Sequence, residues 1–281
     1  MHERKEAKVL AIYHLKGGVG KTATAVNLAY LACASGRKTL ICDLDPQSSS
    51  TYYFRVEPKL KAAKKVLLKG GRKILRNIKG TDYEGLDLLP ADWSHRHLAA
   101  LLDKVKASKR RLKDNLEPLR DEYELVLLDC PATVSLVAEN IFHAADLLLI
   151  PVVPSTLAAR AYLNVRAFFE RKQYDEHKIY AFFSMVEKRK RLHQATMRSM
   201  RQQFDGILES SIPYTVDIES MGLSRAPVPA CMPTSVAAGC YRDLWREIDG
   251  IIRRLGSAES FPPAVAAGSG LAQDSSQEAD D

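Results

Sequence analysis

Seven residues, Lys-Gly-Gly-Val-Gly-Lys-Thr at 16–22, constrain this chain more than any other feature, because of what flanks them. An apolar run of strand length, Val9–Tyr13, precedes them, and a helix-forming stretch from Thr22 to Ala34 follows. Glycine at 17, 18 and 20 allows successive backbone N–H groups to turn inward around an anion. The helix that starts there adds the positive end of its dipole. Lys21 brings a charge for the β- and γ-phosphates of a nucleotide, and Thr22 a hydroxyl for Mg²⁺. Val19 and Ala23 offer their backbone N–H groups. The usual form of this loop has glycine at position 15; here Leu15 stands there and an additional lysine, Lys16, follows it. A phosphate loop placed directly between a strand and a helix directs the chain towards α/β architectures.

The remainder of the sequence agrees. Further apolar runs of strand length occur at Leu40–Cys42, Leu86–Leu89, Leu125–Leu128, Leu147–Val153, Ile179–Met185 and near Ile207–Ile212. Most are hydrophobic without alternation, as strands buried on both faces are. Helical stretches lie between them, among them Ala158–Arg171. A long final helix is predicted over 234–254, directly after Pro233, with Val236, Cys240, Leu244, Ile248, Ile251 and Leu255 at helical spacing. This alternation predicts a doubly wound, mostly parallel sheet flanked by helices. With 281 residues and 46% hydrophobic content, the chain has material for one sizeable core, expected over residues 1–256. Residues 257–281 contain five acids and no bases and are small, polar and Pro/Gly-rich, which reads as a disordered acidic tail. No run of 18 apolar residues and no secretory signal is present. The five cysteines, at 33, 42, 130, 231 and 240, form no C-x-x-C pair and no His/Cys cluster. Neither a disulfide framework nor a cysteine metal site is therefore expected, and the cytoplasm is the expected compartment.

Carboxylates stand at the ends of two of these strands: Asp43-Leu44-Asp45-Pro46-Gln47, and Asp129 in Leu125–Pro131, LVLLDCP. Together with K-G-G-V-G-K-T these segments resemble the ParA/MinD superfamily of P-loop ATPases, whose deviant Walker A motif is K-G-G-x-G-K-[ST]. The similarity continues through Ala145–Pro151 and from Ile212-Pro213 to Tyr241, segments typical of the ParA/Soj branch. The resemblance implies an ATP- and Mg²⁺-dependent ATPase that dimerises around its nucleotide. Lys16 then reaches across to the partner's nucleotide and neutralises transition-state charge, while Lys21 and the N–H groups of residues 17–22 cradle the phosphates. Thr22 ligates Mg²⁺, Asp129 holds it through its hydration shell, Asp43 lies in the same outer shell, and Asp45 positions the attacking water. Pro213 is assigned to the nucleotide site by the same resemblance. Two departures stand out: Ala23 replaces the family's second threonine, and Ser48 replaces a glycine common after D-P-Q. His14, Cys130, Trp93 and Trp245 are expected to pack rather than react.

The net charge of +7 conceals an asymmetry, since residues 1–256 hold all 41 Lys and Arg against 29 of the 34 acids, a net +12. Lys59–Lys79 holds nine bases and no acid; Lys104–Lys113 and Lys188–Arg201 hold six each. Each cluster could be a solvated helix face, but three of them on one basic body favour a polyanion partner. The resemblance offers two surfaces for such a switch. One is nucleoid DNA, bound without sequence preference while a ParB-like or other cargo adaptor stimulates hydrolysis and a plasmid, chromosome or protein assembly is positioned. The other is a membrane, as in MinD, which uses a basic amphipathic C-terminal helix. The acidic C-terminal residues of this chain favour DNA, with Lys188, Arg189, Lys190, Arg191, Arg198 and Arg201 as the contact residues. Related metal-cluster carriers need paired cysteines that are missing here. Of the two lysines, only Lys21 is expected to be needed for monomer nucleotide binding.

Overall fold

Why the strands stack as they do follows from their composition. The computed structural model of the chain describes residues 7–57, 72–91, 100, 102 and 109–256. Trp93, the tail 257–281, residues 59–71 of the Lys59–Lys79 cluster and residues 104–108 of the Lys104–Lys113 cluster lie outside the described residues. Among the described residues one sheet of eight strands forms: β1 (Lys8–Ile12), β2 (Thr39–Asp43), β3 (Lys79–Gly80), β4 (Leu86–Leu89), β5 (Leu125–Asp129), β6 (Leu147–Val152), β7 (Ile179–Val186) and β8 (Ile207–Pro213). Their order across the sheet is β3-β4-β2-β5-β1-β6-β7-β8. All neighbours are parallel except β3 with β4. The central strands β2, β5 and β6 are buried at every residue, because helices cover both faces.

Alternate residues feed two cores. Val9, Ala11 and Tyr13 join Val126, Leu128 and Ile150 on one face. Leu10 and Ile12 join Leu127 and Leu149 on the other. The first face is covered by α3 (Leu136–Ala144), α4 (Thr156–Lys172) and α5 (Arg191–Gln203), the second by α1 (Lys21–Ala34) and α6 (Val236–Gly256). Between α1 and α2 (Ser49–Tyr53) the chain passes through β2. Helix α1 is buried almost all round, since it lies between the sheet and α6; this explains its Ala- and Leu-rich sequence without a polar stripe.

The last helix starts at Val236, two residues later than predicted, and ends at Gly256. Its buried stripe runs through Ala237, Tyr241, Leu244, Trp245, Ile248 and Ile251, so Trp245 packs in the core. Val236 (74% exposed) and Leu255 (42%) keep the predicted spacing but lie outside this buried stripe, although Ala237 beside Val236 is fully buried. The edge of β8 is closed from both faces. Glu247 accepts from the N–H groups of Glu209 and Ser210, and Arg201 donates to the carbonyls of Leu208 and Glu209.

Candidate nucleotide-binding site

A cavity of about 670 Å³ opens where the carboxyl ends of the central strands meet the start of α1. Its walls come from Gly17, Gly18, Gly20 and Lys21–Ala23 after β1, Asp45–Gln47 and Ser49 after β2, Pro131 and Ala132 after β5, and Met185 in β7. Ligands of open α/β sheets bind at this edge, because the loops there are free to diverge and helix N-termini converge on it. The loop backbone needs two of its glycines. Gly18 and Gly20 have φ of +71° and +89°, a region in which other residues are strained. A Cβ on Gly20 would also stand 2.9 Å from the Ser184 hydroxyl oxygen.

Lys21 is buried, and its Nζ donates to the Lys16 carbonyl across the loop at 3.4 Å. Lys16 is exposed and does not line the cavity, so the two lysines face different surroundings. Beneath the loop, His14 is fully buried and its Nδ1 accepts from the Lys16 N–H at 2.9 Å. Burial first, and then the charge of Lys21, pull the His14 pKa down to about 4, which keeps the imidazole neutral as this hydrogen bond requires. His14 thus packs beneath the loop and also braces its start.

The two strand-end aspartates meet through sheet register. β2 and β5 are neighbours, and Asp43 pairs with Asp129 across them. Both are buried, behind the cavity wall rather than on it. Asp129 Oδ1 accepts from the Thr22 hydroxyl at 3.3 Å, and Oδ2 from the Ser50 hydroxyl at 2.6 Å. Asp43 accepts from the Thr51 N–H and hydroxyl at 2.9 and 2.7 Å, and from the Asp45 N–H at 3.2 Å. Burial pushes the Asp43 carboxyl well above the usual range, and the charge of Asp129 adds to this. Burial also raises Asp129; the hydrogen bonds from Ser50 and Thr22 oppose that rise, and Asp45 adds to it. A hydroxyl beside two under-compensated buried carboxyls is an oxygen donor set suited to a hard cation with its water shell. Among the described residues no cluster of three or more His, Cys, Asp and Glu exists that could hold an ion without such help.

Asp45 lines the cavity, and its Oδ1 accepts from the Gln47 N–H at 2.9 Å, closing a tight turn. Ser48 ends that turn at φ +55°, the conformation for which glycine is the easier residue. Val19 is buried under the loop. Pro213 pairs with Val186 at the end of β8, one strand away from the cavity, and is not among its lining residues; Met185 takes that place, bulged out of β7 at φ +53°. Of the basic set, Lys188, Arg189, Lys190, Arg191 and Arg198 are exposed at the start and along the outer side of α5. Lys190 pairs with Glu187. Arg201 departs from the expectation: its guanidinium is committed to the β8 carbonyls and stacks over Phe183, which leaves it little to offer a polyanion.

The sequence profile of a family described as AAA domain, AAA_31, matches residues 7–178, which contain the whole cavity wall except Met185. Along 247 residues the chain is 28% identical to the sporulation initiation inhibitor protein Soj of Bacillus subtilis, covering 86% of this chain and 98% of that protein. The chain belongs to this AAA-domain family, as a ParA/Soj-type ATPase. It is also 36% identical over 147 residues to an uncharacterized protein of Pseudomonas putida; that match covers 52% of this chain and about half, 56%, of the relative's length. The solved cobyrinic acid a,c-diamide synthase of Mycobacterium smegmatis, with bound ADP and magnesium, shares the fold at a TM-score of 0.73 and 25% identity, over 91% of this chain and 98% of that one. In this ParA/Soj-type chain the residues that escaped sequence reasoning are Ser50, Thr51 and Met185. Nothing local marks them; their roles arise from strands and a short helix that meet only in the folded sheet.

Proposed function

We propose that this chain is an Mg²⁺-dependent ATPase that dimerises when ATP-bound, holds non-specific DNA in that state, and positions a cargo with an adaptor protein that stimulates hydrolysis. One observation carries the reading. The phosphate loop, the Thr22–Asp129 pair and Asp45 converge on one cavity, while Lys16, the lysine that distinguishes this loop, is exposed outside it.

Lys21 and the backbone N–H groups of residues 17–23 hold the phosphates, with the dipole of the 14-residue helix α1 behind them. Thr22 and Asp129, backed by Asp43, hold the cation, which when bound neutralises phosphate charge. Asp45, at the mouth, orients the water that attacks the terminal phosphate; positioning and charge neutralisation are what phosphoryl transfer chiefly needs. The Lys16 side chain, unlike its backbone, makes no hydrogen bond or ion pair among the described residues, and serves the nucleotide of a second copy. Lys188, Arg189, Arg191 and Arg198 make no ion pair among the described residues and supply the charge for DNA phosphates. Among the described residues no helix is long and apolar enough to cross a membrane.

Gel shifts with unrelated duplexes, at low and moderate salt, with ATP, ADP or no nucleotide, test this reading. Retention that needs ATP, ignores sequence and fades with salt is expected. Retention equal in all three nucleotide states, or none at low salt, would refute the DNA switch.

A further inference from the structure

Two consecutive hydroxyls at the start of α2 reach the two buried aspartates, and neither has a place in the chemistry described so far. Ser50 is 0% exposed and donates to Asp129 Oδ2 at 2.6 Å, a length typical of a hydroxyl on a carboxylate. Thr51 is 2% exposed and donates its hydroxyl to Asp43, while its Oγ1 accepts from the Ala91 N–H at 3.1 Å. The Thr22 hydroxyl meets the other oxygen of Asp129 at 3.3 Å, a long and weak contact. Thr22 is therefore free to leave for a cation. Ser50 is the residue that sets the rotation of the Asp129 carboxylate.

We propose that Ser50 is a positioning residue for the metal-binding carboxylate, and the joint that ties the Asp45–Ser49 turn to the cation. Ser50 is the second residue of α2, whose first residue, Ser49, ends that turn, and the turn lines the cavity. Removing its hydroxyl lets the carboxylate rotate and frees the helix start from Asp129, while the phosphate loop, on α1, keeps its own contacts. Groups that orient a ligand from behind typically change metal affinity by 10- to 100-fold. The inference rests on the Mg²⁺–nucleotide reading above.

The test uses the full chain and a fluorescent ATP analogue, first in EDTA and then with Mg²⁺ titrated in, together with amide hydrogen exchange. In EDTA, wild type, Ser50→Ala and Ser50→Thr should bind the analogue alike. The Mg²⁺ concentration at half-saturation should rise about 10-fold in Ser50→Ala and stay near the wild-type value in Ser50→Thr, which keeps the hydroxyl. Mg²⁺ should slow exchange of the amides of residues 50–54 in wild type but not in Ser50→Ala. Equal Mg²⁺ dependence of wild type and Ser50→Ala overturns the positioning role, as does an equal loss in Ser50→Thr. Exchange in α2 that responds to Mg²⁺ equally in wild type and Ser50→Ala overturns the joint. Failure of wild type to bind the analogue at all would instead refute the nucleotide reading itself.

Discussion

Lys21 and Lys16 lie five residues apart on one loop, yet they should fail in different ways. The Lys21 side chain is 7% exposed, makes no ion pair among the described residues, and its Nζ has only the long contact to the Lys16 carbonyl. Its charge is held for a ligand. Lys21→Ala removes at least one charge-assisted hydrogen bond to phosphate, worth about 1.5–3 kcal/mol, or about 10- to 150-fold in the Kd for nucleotide. Lys16 is exposed, and its backbone rather than its side chain serves the loop. Exposed substitutions of this kind change free energies by about 0.5 kcal/mol or less, so Lys16→Ala should keep the monomer's Kd within about twofold while ATP-dependent dimerisation and turnover are lost. Titration calorimetry with Mg·ADP, at protein concentrations below self-association, measures the first pair of numbers; sedimentation with ATP measures dimerisation. The His14 ring is a second reporter. Lys21 is the second cause of its lowered pKa and Lys16 the last and smallest, so an NMR titration should find the ring more basic in Lys21→Ala and nearly unchanged in Lys16→Ala. Equal loss of nucleotide affinity in the two variants would refute the assignment of Lys16 to a second copy.

Asp45→Ala should bind ATP and dimerise but not turn over, so it should remain on DNA after wild type has been released; wild-type phosphate release by this variant would hand the water to another residue. His14 has a folded pKa of about 4, below its value of about 6.5 in an unfolded chain. Its contribution to stability is therefore complete above pH 6.5 and is lost as pH falls towards 4, by up to about 3 kcal/mol; His14→Gln should flatten that part of the urea-midpoint profile, and an unchanged profile would contradict the burial argument. Reversing Lys188, Arg189, Arg191 and Arg198 together should lower the slope of log affinity for DNA against log salt by about 3–4 per protomer. An unchanged slope would move the DNA face elsewhere.

Much of the fold is legible in the residues because the signals are local. Unbroken apolar runs mark β5 and β6 as buried on both faces, and Gly18 and Gly20 mark a place where the backbone takes positive φ before a helix. The phosphate loop, its lysine and the three aspartates were visible for the same reason: each is set by neighbours a few residues away. β3 was not, since a two-residue strand has no period to read. What only the tertiary structure decided are the adjacencies across the sheet. Asp43 and Asp129 become partners because β2 lies beside β5 rather than beside β1, an order no local pattern encodes. Nothing in the sequence singles out Ser50 and Thr51; their contacts exist only once α2 is folded back against those strand ends. Met185 reaches the cavity, and Pro213 does not, because of a bulge between β7 and β8. Arg201 looks like one more exposed base in a cluster, yet it spends its guanidinium on a sheet edge that exists only once β8 is in place. Periodicity and backbone freedom act over a few residues and can be read along the chain; which carboxylate faces which hydroxyl depends on strand order, set by how the two cores pack on opposite faces of the finished sheet.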